Sequence, residues 1–130
     1  MGLKMIHKCQ VTYAFDAAHQ LFLPYASKCN NKHGHRYNVI TRLSGPLNSC
    51  GMIVDFVHVK QAIMEQYDQQ DLNEVMGSTA TTAENLAHHI HATLNLALSC
   101  SEEFKLLYWS VKIDSITLFE TPGNEVTGEW

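Results

Sequence analysis

No basic excess is available in this chain to displace counterions from a phosphate backbone. Nine Lys and Arg stand against thirteen Asp and Glu, a formal charge of -4, which argues against a nucleic-acid partner. No apolar run approaches membrane-spanning length, so no membrane role is expected. Cys9, Cys29, Cys50 and Cys100 show no Cys-x-x-Cys spacing and follow no secretory leader. They are read as reduced thiols of a cytoplasmic protein. The opening Met1-Gly2 is no myristoylation start, because Ile6 stands where Ser or Thr is wanted. Internal repeats, linkers and low-complexity tracts are also missing, and residues 1–130 are long enough for a single domain with one core.

What the chain does have is histidine, eight in all, and an informative cluster of them. In Cys29-Asn-Asn-Lys-His33-Gly34-His35 the two imidazoles are two residues apart, so on a strand both point to one face. His19 adds a third if the segment ending there pairs antiparallel with the one starting at His33. Three neutral nitrogen ligands suit Zn²⁺ and leave a fourth position for water or substrate, as in catalytic zinc sites. Two other readings stand beside this one: a His-x-His pair is often surface decoration, and Cys29 as fourth ligand would close a structural centre. Lys28, Lys32 and Arg36 crowd the same stretch; they suit an anionic small substrate or are simply solvated.

Residues 4–15 alternate, with Met5, Cys9, Val11, Tyr13 and Phe15 on the face expected to be buried, and read as a half-buried strand. An irregular connection through Pro24 follows, and alternation resumes from His35 to Leu43, ending at Ser44-Gly45-Pro46. The metal residues would then lie at one end of a hairpin-like pair. Asp55 is a good N-cap for a helix carrying Val59, Ile63 and Tyr67, which fades into a solvated end at Asp68-Gln69-Gln70-Asp71. Thr81-x-x-Glu84 forms a capping box for a second helix with Leu86, Ala87, Ile90, Leu94 and Ala97 along its buried stripe, leaving His88, His91 and Asn95 to solvent. After a polar turn at Ser101-Glu102-Glu103, residues 107–119 read as a third strand with Trp109 on its buried face, and Glu125–Trp130 return as a fourth. The order ββααββ implies an α+β layer, four antiparallel strands with two helices on one face. Its unpaired edges favour association with further copies.

Five motifs in this order resemble the 6-pyruvoyl-tetrahydropterin synthase family, including its bacterial branch, the 6-carboxy-tetrahydropterin synthases of queuosine biosynthesis. They are Phe15-Asp-Ala-Ala-His19, Cys29-x-x-x-His33-Gly-His35, Gly51-Met-Ile-Val-Asp55-Phe56, Thr82-Ala-Glu84-Asn85 and Phe119-Glu120-Thr121. The short spacing from Cys29 to His33 looks like the bacterial branch. The resemblance implies a T-fold, in which trimers close a barrel and two trimers stack as a homohexamer with active sites between subunits. It implies zinc on His19, His33 and His35, and 7,8-dihydroneopterin triphosphate as the small-molecule substrate. It further implies Cys29 as the proton-transferring thiolate, with Asp68 beside it, and Glu120 as the carboxylate that anchors the pterin. Thr82 and Glu84 resemble residues near the pterin pocket, although helix capping also explains both.

One position departs from the pattern. The family follows its first helix with Asp-His, completing a triad with the cysteine, whereas this chain has Asp68-Gln69. Glutamine cannot take up a proton near neutral pH. His58, His88, His89 and His91 are candidates to substitute from elsewhere. Three readings follow: a working zinc lyase with a shifted proton route, most like 6-carboxy-tetrahydropterin synthase; a pterin-binding paralogue without chemistry; and a zinc enzyme performing another pterin reaction, such as pyruvoyl-tetrahydropterin formation or side-chain cleavage.

Overall fold

The computed structural model describes residues 5–130; Met1-Gly2 lies outside them. Two thirteen-residue strands, β1 (His7–His19) and β2 (His33–Gly45), pair antiparallel along their whole length, from His7 opposite Gly45 to His19 opposite His33. Their odd-numbered residues share one face. Val11, Tyr13, Phe15 and Ala17 of β1 meet Tyr37, Val39 and Leu43 of β2 there, all buried.

Helix α1 (Phe56–Tyr67) covers this face. Asp55 starts it by accepting a hydrogen bond from the Val57 N–H at 2.9 Å, and Val59, Ile63 and Tyr67 form its buried stripe. Helix α3 (Ala83–Ala97) adds Leu86, Ala87, Ile90 and Leu94. The aromatic rings of Phe15, Tyr37 and Tyr67 stack at 5.3 and 5.5 Å between centroids, joining strands to helix. β4 (Lys112–Thr121) pairs with β2, and β5 (Asn124–Glu129) with β4, both antiparallel.

The α+β architecture is therefore present, with four revisions. The sheet has a short fifth strand, β3 (Gln70–Asp71), which runs parallel to Ala17 and Ala18 at the edge of β1. The expected solvated helix end at 68–71 is thus a sheet edge, because the Gln69 N–H donates to the Asp16 carbonyl at 2.7 Å and turns the chain onto β1. A short α2 (Leu72–Met76) follows immediately, capped by Asp71.

Residues 102–108 form α4 (Glu102–Tyr108) rather than a turn and the start of a strand. Ser101 caps it, two glutamates occupy its first turn, and Trp109 at its end is exposed. Helix α3 is capped by Thr82, whose Oγ1 accepts from the Asn85 N–H at 3.2 Å, so the expected capping box at Thr81 does not form. Finally, β1 begins at His7 and extends to His19; Met5 is exposed and Cys9 only half-buried.

Candidate metal centre

Strand pairing brings the three histidines together. His19 closes β1 directly opposite His33 at the start of β2, and His35 follows on the same face. Their rings lie edge-on to one another with centroids 4.6 to 5.3 Å apart, and one ring nitrogen from each falls within 4.8 Å of the others. His19 is fully buried.

Backbone carbonyls fix two of the rings. His19 Nδ1 lies 2.8 Å from the Thr81 carbonyl oxygen, and His33 Nδ1 lies 2.7 Å from that of Asn31. A carbonyl only accepts, so each Nδ1 carries the hydrogen, and in the neutral ring each Nε2 presents a lone pair. Those two Nε2 atoms are 3.0 Å apart. Facing lone pairs at that distance repel unless a cation or a proton lies between them. Two ligand nitrogens of a tetrahedral zinc, at about 2.0–2.1 Å from the metal, would be about 3.4 Å apart.

His35 completes the arrangement. Its Nε2 is buried with no hydrogen-bond partner among the described residues, and Glu120 Oε1 lies 3.4 Å away. Burial lowers its pKa, Glu120 acts in the opposite direction, and the neighbouring His33 and His19 lower it again. The net effect favours the neutral imidazole that a metal needs. A buried unpartnered nitrogen and two opposed lone pairs make this donor set fit a zinc ion.

The segments beside the triad are held firmly. Asn73 of α2 clasps the residue after His19: its Oδ1 accepts from the Gln20 N–H at 2.9 Å and its Nδ2 donates to the Gln20 carbonyl at 2.9 Å. Cys29 is half-buried in a one-turn 3-10 helix, Lys28–Asn30, whose N-cap Ser27 accepts from the Cys29 N–H. Among the described residues the cluster of potential ligand atoms comprises His19, His33 and His35, with Cys29 outside it.

Asp68 and Gln69 lie at the β1 edge. Asp68 Oδ1 accepts from the Asp16 N–H at 3.1 Å, and Gln69 adopts φ +61°, a left-handed conformation that a non-glycine residue rarely takes. Gln69 lines a cleft of about 490 Å³ together with Lys32, His35, Arg36 and Asp71. Lys32 and Arg36 are already paired there, to Asp71 at 2.7 Å and Asp16 at 3.2 Å. The Lys32 hydrogen bond holds the Asp71 carboxyl below its usual range.

Thr82 and Glu84 are occupied differently, the first in capping α3 and the second exposed in its first turn. Three of the remaining histidines are engaged elsewhere in this chain. His58 meets the Tyr108 hydroxyl at 2.6 Å, His89 meets that of Tyr67 at 2.6 Å, and His91, expected to face solvent, stacks on Trp130 at 3.9 Å; His88 is exposed. Sequence reading missed Thr81, Asn31 and Asn73. The first two act through carbonyls, which leave no side-chain signature.

An α+β domain carrying, at the end of a β-hairpin, a cluster of three histidines that could hold a metal ion is the class that these features define. The chain belongs to the 6-pyruvoyl tetrahydropterin synthase family, whose sequence model matches residues 8–129. A 6-carboxy-5,6,7,8-tetrahydropterin synthase of Rickettsia bellii is similar at 30% identity, over 88% of this chain and 94% of its own. A Pyrococcus horikoshii protein provisionally given the same name is 46% identical over 67 residues, which is 50% of this chain but only 43% of that relative. The structure of the 6-pyruvoyl tetrahydropterin synthase of Caenorhabditis elegans superimposes with a TM-score of 0.74 at 26% identity, covering 100% of this chain and 99% of the other. The fold is thus the T-fold of this family.

Proposed function

We propose that the protein is a zinc-dependent lyase acting on 7,8-dihydroneopterin triphosphate, most like 6-carboxy-5,6,7,8-tetrahydropterin synthase. The observation that carries this reading is the pair of Nε2 lone pairs of His19 and His33, 3.0 Å apart, beside the unpartnered Nε2 of His35. Zinc on these three nitrogens supplies Lewis-acid polarisation of the substrate's side-chain oxygens, which acidifies the adjoining C–H.

The chain's own groups do the rest. Cys29, held in its capped turn, moves the proton. Glu120 accepts paired hydrogen bonds from the pterin amino group and ring N–H. Asp68 ties the end of α1 to β1 and presents position 69 to the cleft. Of the three cations near the triad, Lys32 and Arg36 are neutralised by partners, while Lys28 is exposed and makes no ion pair among the described residues. Lys28 is therefore the better phosphate contact. The edge of β5, and that of β1 before its short pairing with β3, are where further copies would close the barrel, as a trimer or a stacked hexamer, with Gln69 beside one of these edges.

A second reading is favoured by Gln69 itself. Its amide donates and accepts hydrogen bonds but neither takes up nor releases a proton near neutral pH, and losing a proton-transfer partner typically costs about 10² to 10⁴ in rate. A pterin-binding paralogue with impaired chemistry would result. Zinc-loaded protein incubated with dihydroneopterin triphosphate, with products identified by mass, separates the two. 6-Carboxytetrahydropterin supports the lyase; pyruvoyl-tetrahydropterin or a cleaved pterin redirects the assignment. Bound but unconverted pterin, with turnover appearing in Gln69→His, supports the binding reading.

A further inference from the structure

Among the buried tyrosines, one differs from the rest. The Tyr13 hydroxyl is 2.7 Å from Thr41 Oγ1, Tyr67 meets His89 and Thr93, and Tyr108 meets His58. The Tyr37 hydroxyl is fully buried and has no hydrogen-bond partner among the described residues. An unpaired buried hydroxyl is destabilising, and a phenylalanine of the same shape would remove the penalty. The fold therefore keeps at this position a donor that its own packing does not use.

The place of Tyr37 is specific. It continues the row His33, His35, Tyr37 along one face of β2, and its ring is pinned by Phe15, stacked at 5.3 Å, and by the edges of His35 and His19, at 5.6 and 6.2 Å. The β2–β4 pairing reaches Asn38 opposite Phe119, and Tyr37 and Glu120 are the next residue on each strand beyond that rung; both approach the His35 ring, Tyr37 at 5.6 Å between centroids and Glu120 Oε1 at 3.4 Å from Nε2. Burial pushes the pKa of the Tyr37 hydroxyl up, and the Glu120 charge adds to it. Glu120 in turn lies 3.4 Å from the His35 nitrogen, an atom that ligation would withdraw from it. The donor left beside the carboxylate is then the Tyr37 hydroxyl.

We infer that Tyr37 is a positioning residue for Glu120: when a pterin ring is seated, the hydroxyl donates to the carboxylate and fixes the orientation in which its oxygens accept the ring's amino group and N–H. A carboxylate has about four lone-pair sites, enough for one tyrosine and two pterin hydrogens. This inference rests on the reading of Glu120 as the pterin anchor. It accounts for an unpaired hydroxyl at Tyr37 where Tyr13, Tyr67 and Tyr108 have partners.

The test is a double-mutant cycle with neopterin as the probe. Its binding to zinc-loaded protein is followed by fluorescence for wild type, Tyr37→Phe, Glu120→Gln and the double variant. Tyr37→Phe should weaken neopterin binding about tenfold, keep its zinc, and melt at the wild-type temperature or a few degrees above it. Glu120→Gln should weaken binding about a hundredfold, and the double variant should bind no more weakly than Glu120→Gln alone. Wild-type affinity in Tyr37→Phe, losses that multiply in the double variant, or a lowered melting temperature would overturn the positioning role while leaving the anchor intact. If Glu120→Gln binds neopterin as wild type does, the anchor reading fails and the inference falls with it.

Discussion

The middle rungs of the β1–β2 hairpin and the rungs at its histidine end share backbone geometry, register and face, yet they are finished in opposite ways. Across the middle rungs, Val11, Tyr13 and Phe15 pack with Val39, Thr41 and Leu43, and the Tyr13 and Thr41 hydroxyls share a hydrogen bond at 2.7 Å. At the other end the same alternation carries His19, His33 and His35, with opposed lone pairs and an unpartnered nitrogen. A strand's period fixes which face a side chain occupies, not what it is for. Three imidazoles whose ligand nitrogens converge on the last rungs of a well-packed sheet mark the end that awaits a ligand.

The largest effect expected from this contrast is on chemistry rather than folding. Cys29→Ala should lower turnover about 10² to 10⁴-fold while the protein stays folded with zinc near one per chain. Loss of zinc in that variant would show the thiol to be a ligand, against the cluster geometry. Phe15→Ala tests the packed region. It removes a ring stacked on both Tyr37 and Tyr67 and should cost about 3–5 kcal/mol in urea unfolding. A cost below about 1 kcal/mol would mean that the aromatic stack does not hold the hairpin to α1.

A smaller effect is expected where the backbone is strained. Gln69 at φ +61° should yield about 1 kcal/mol of stability when replaced by Gly, which takes this conformation freely. Destabilisation would show that the amide side chain contributes more than the strain costs. The smallest effect is a pH dependence. Burial lowers the pKa of His35, His89 and His91 from an ordinary 6.5. The unfolded chain therefore binds more protons than the folded one just below that pH, so metal-free protein should lose stability as pH falls through 6.5 and downward. A melting temperature flat from pH 7.5 to 5 would contradict these directions.

Both long strands, α1, α3 and the three-histidine cluster were legible because each carries a period that side chains alone define: two for Val11 to His19 and His33 to Leu43, three to four for Val59, Ile63 and Tyr67. β3 was not, because a two-residue strand has no period; it exists through backbone bonds from Gln69 and pairing with Ala17 and Ala18. Helix α4 hid behind Ser101-Glu102-Glu103, read as a polar turn although serine followed by acids is also a helix start. The cap of α3 moved from Thr81 to Thr82 because the Thr81 carbonyl is committed to His19, a tertiary demand that local propensity does not show. Tyr37 looked like ordinary core, and only its unpartnered hydroxyl sets it apart.

The most direct test of the account is the zinc content of the purified chain at equilibrium with micromolar buffered zinc, beside that of His33→Ala. The account predicts one zinc per chain in the wild type and essentially none in the variant, since His33 supplies one of the two nitrogens that face each other at 3.0 Å. No zinc in the wild type, or one retained in His33→Ala, would contradict it.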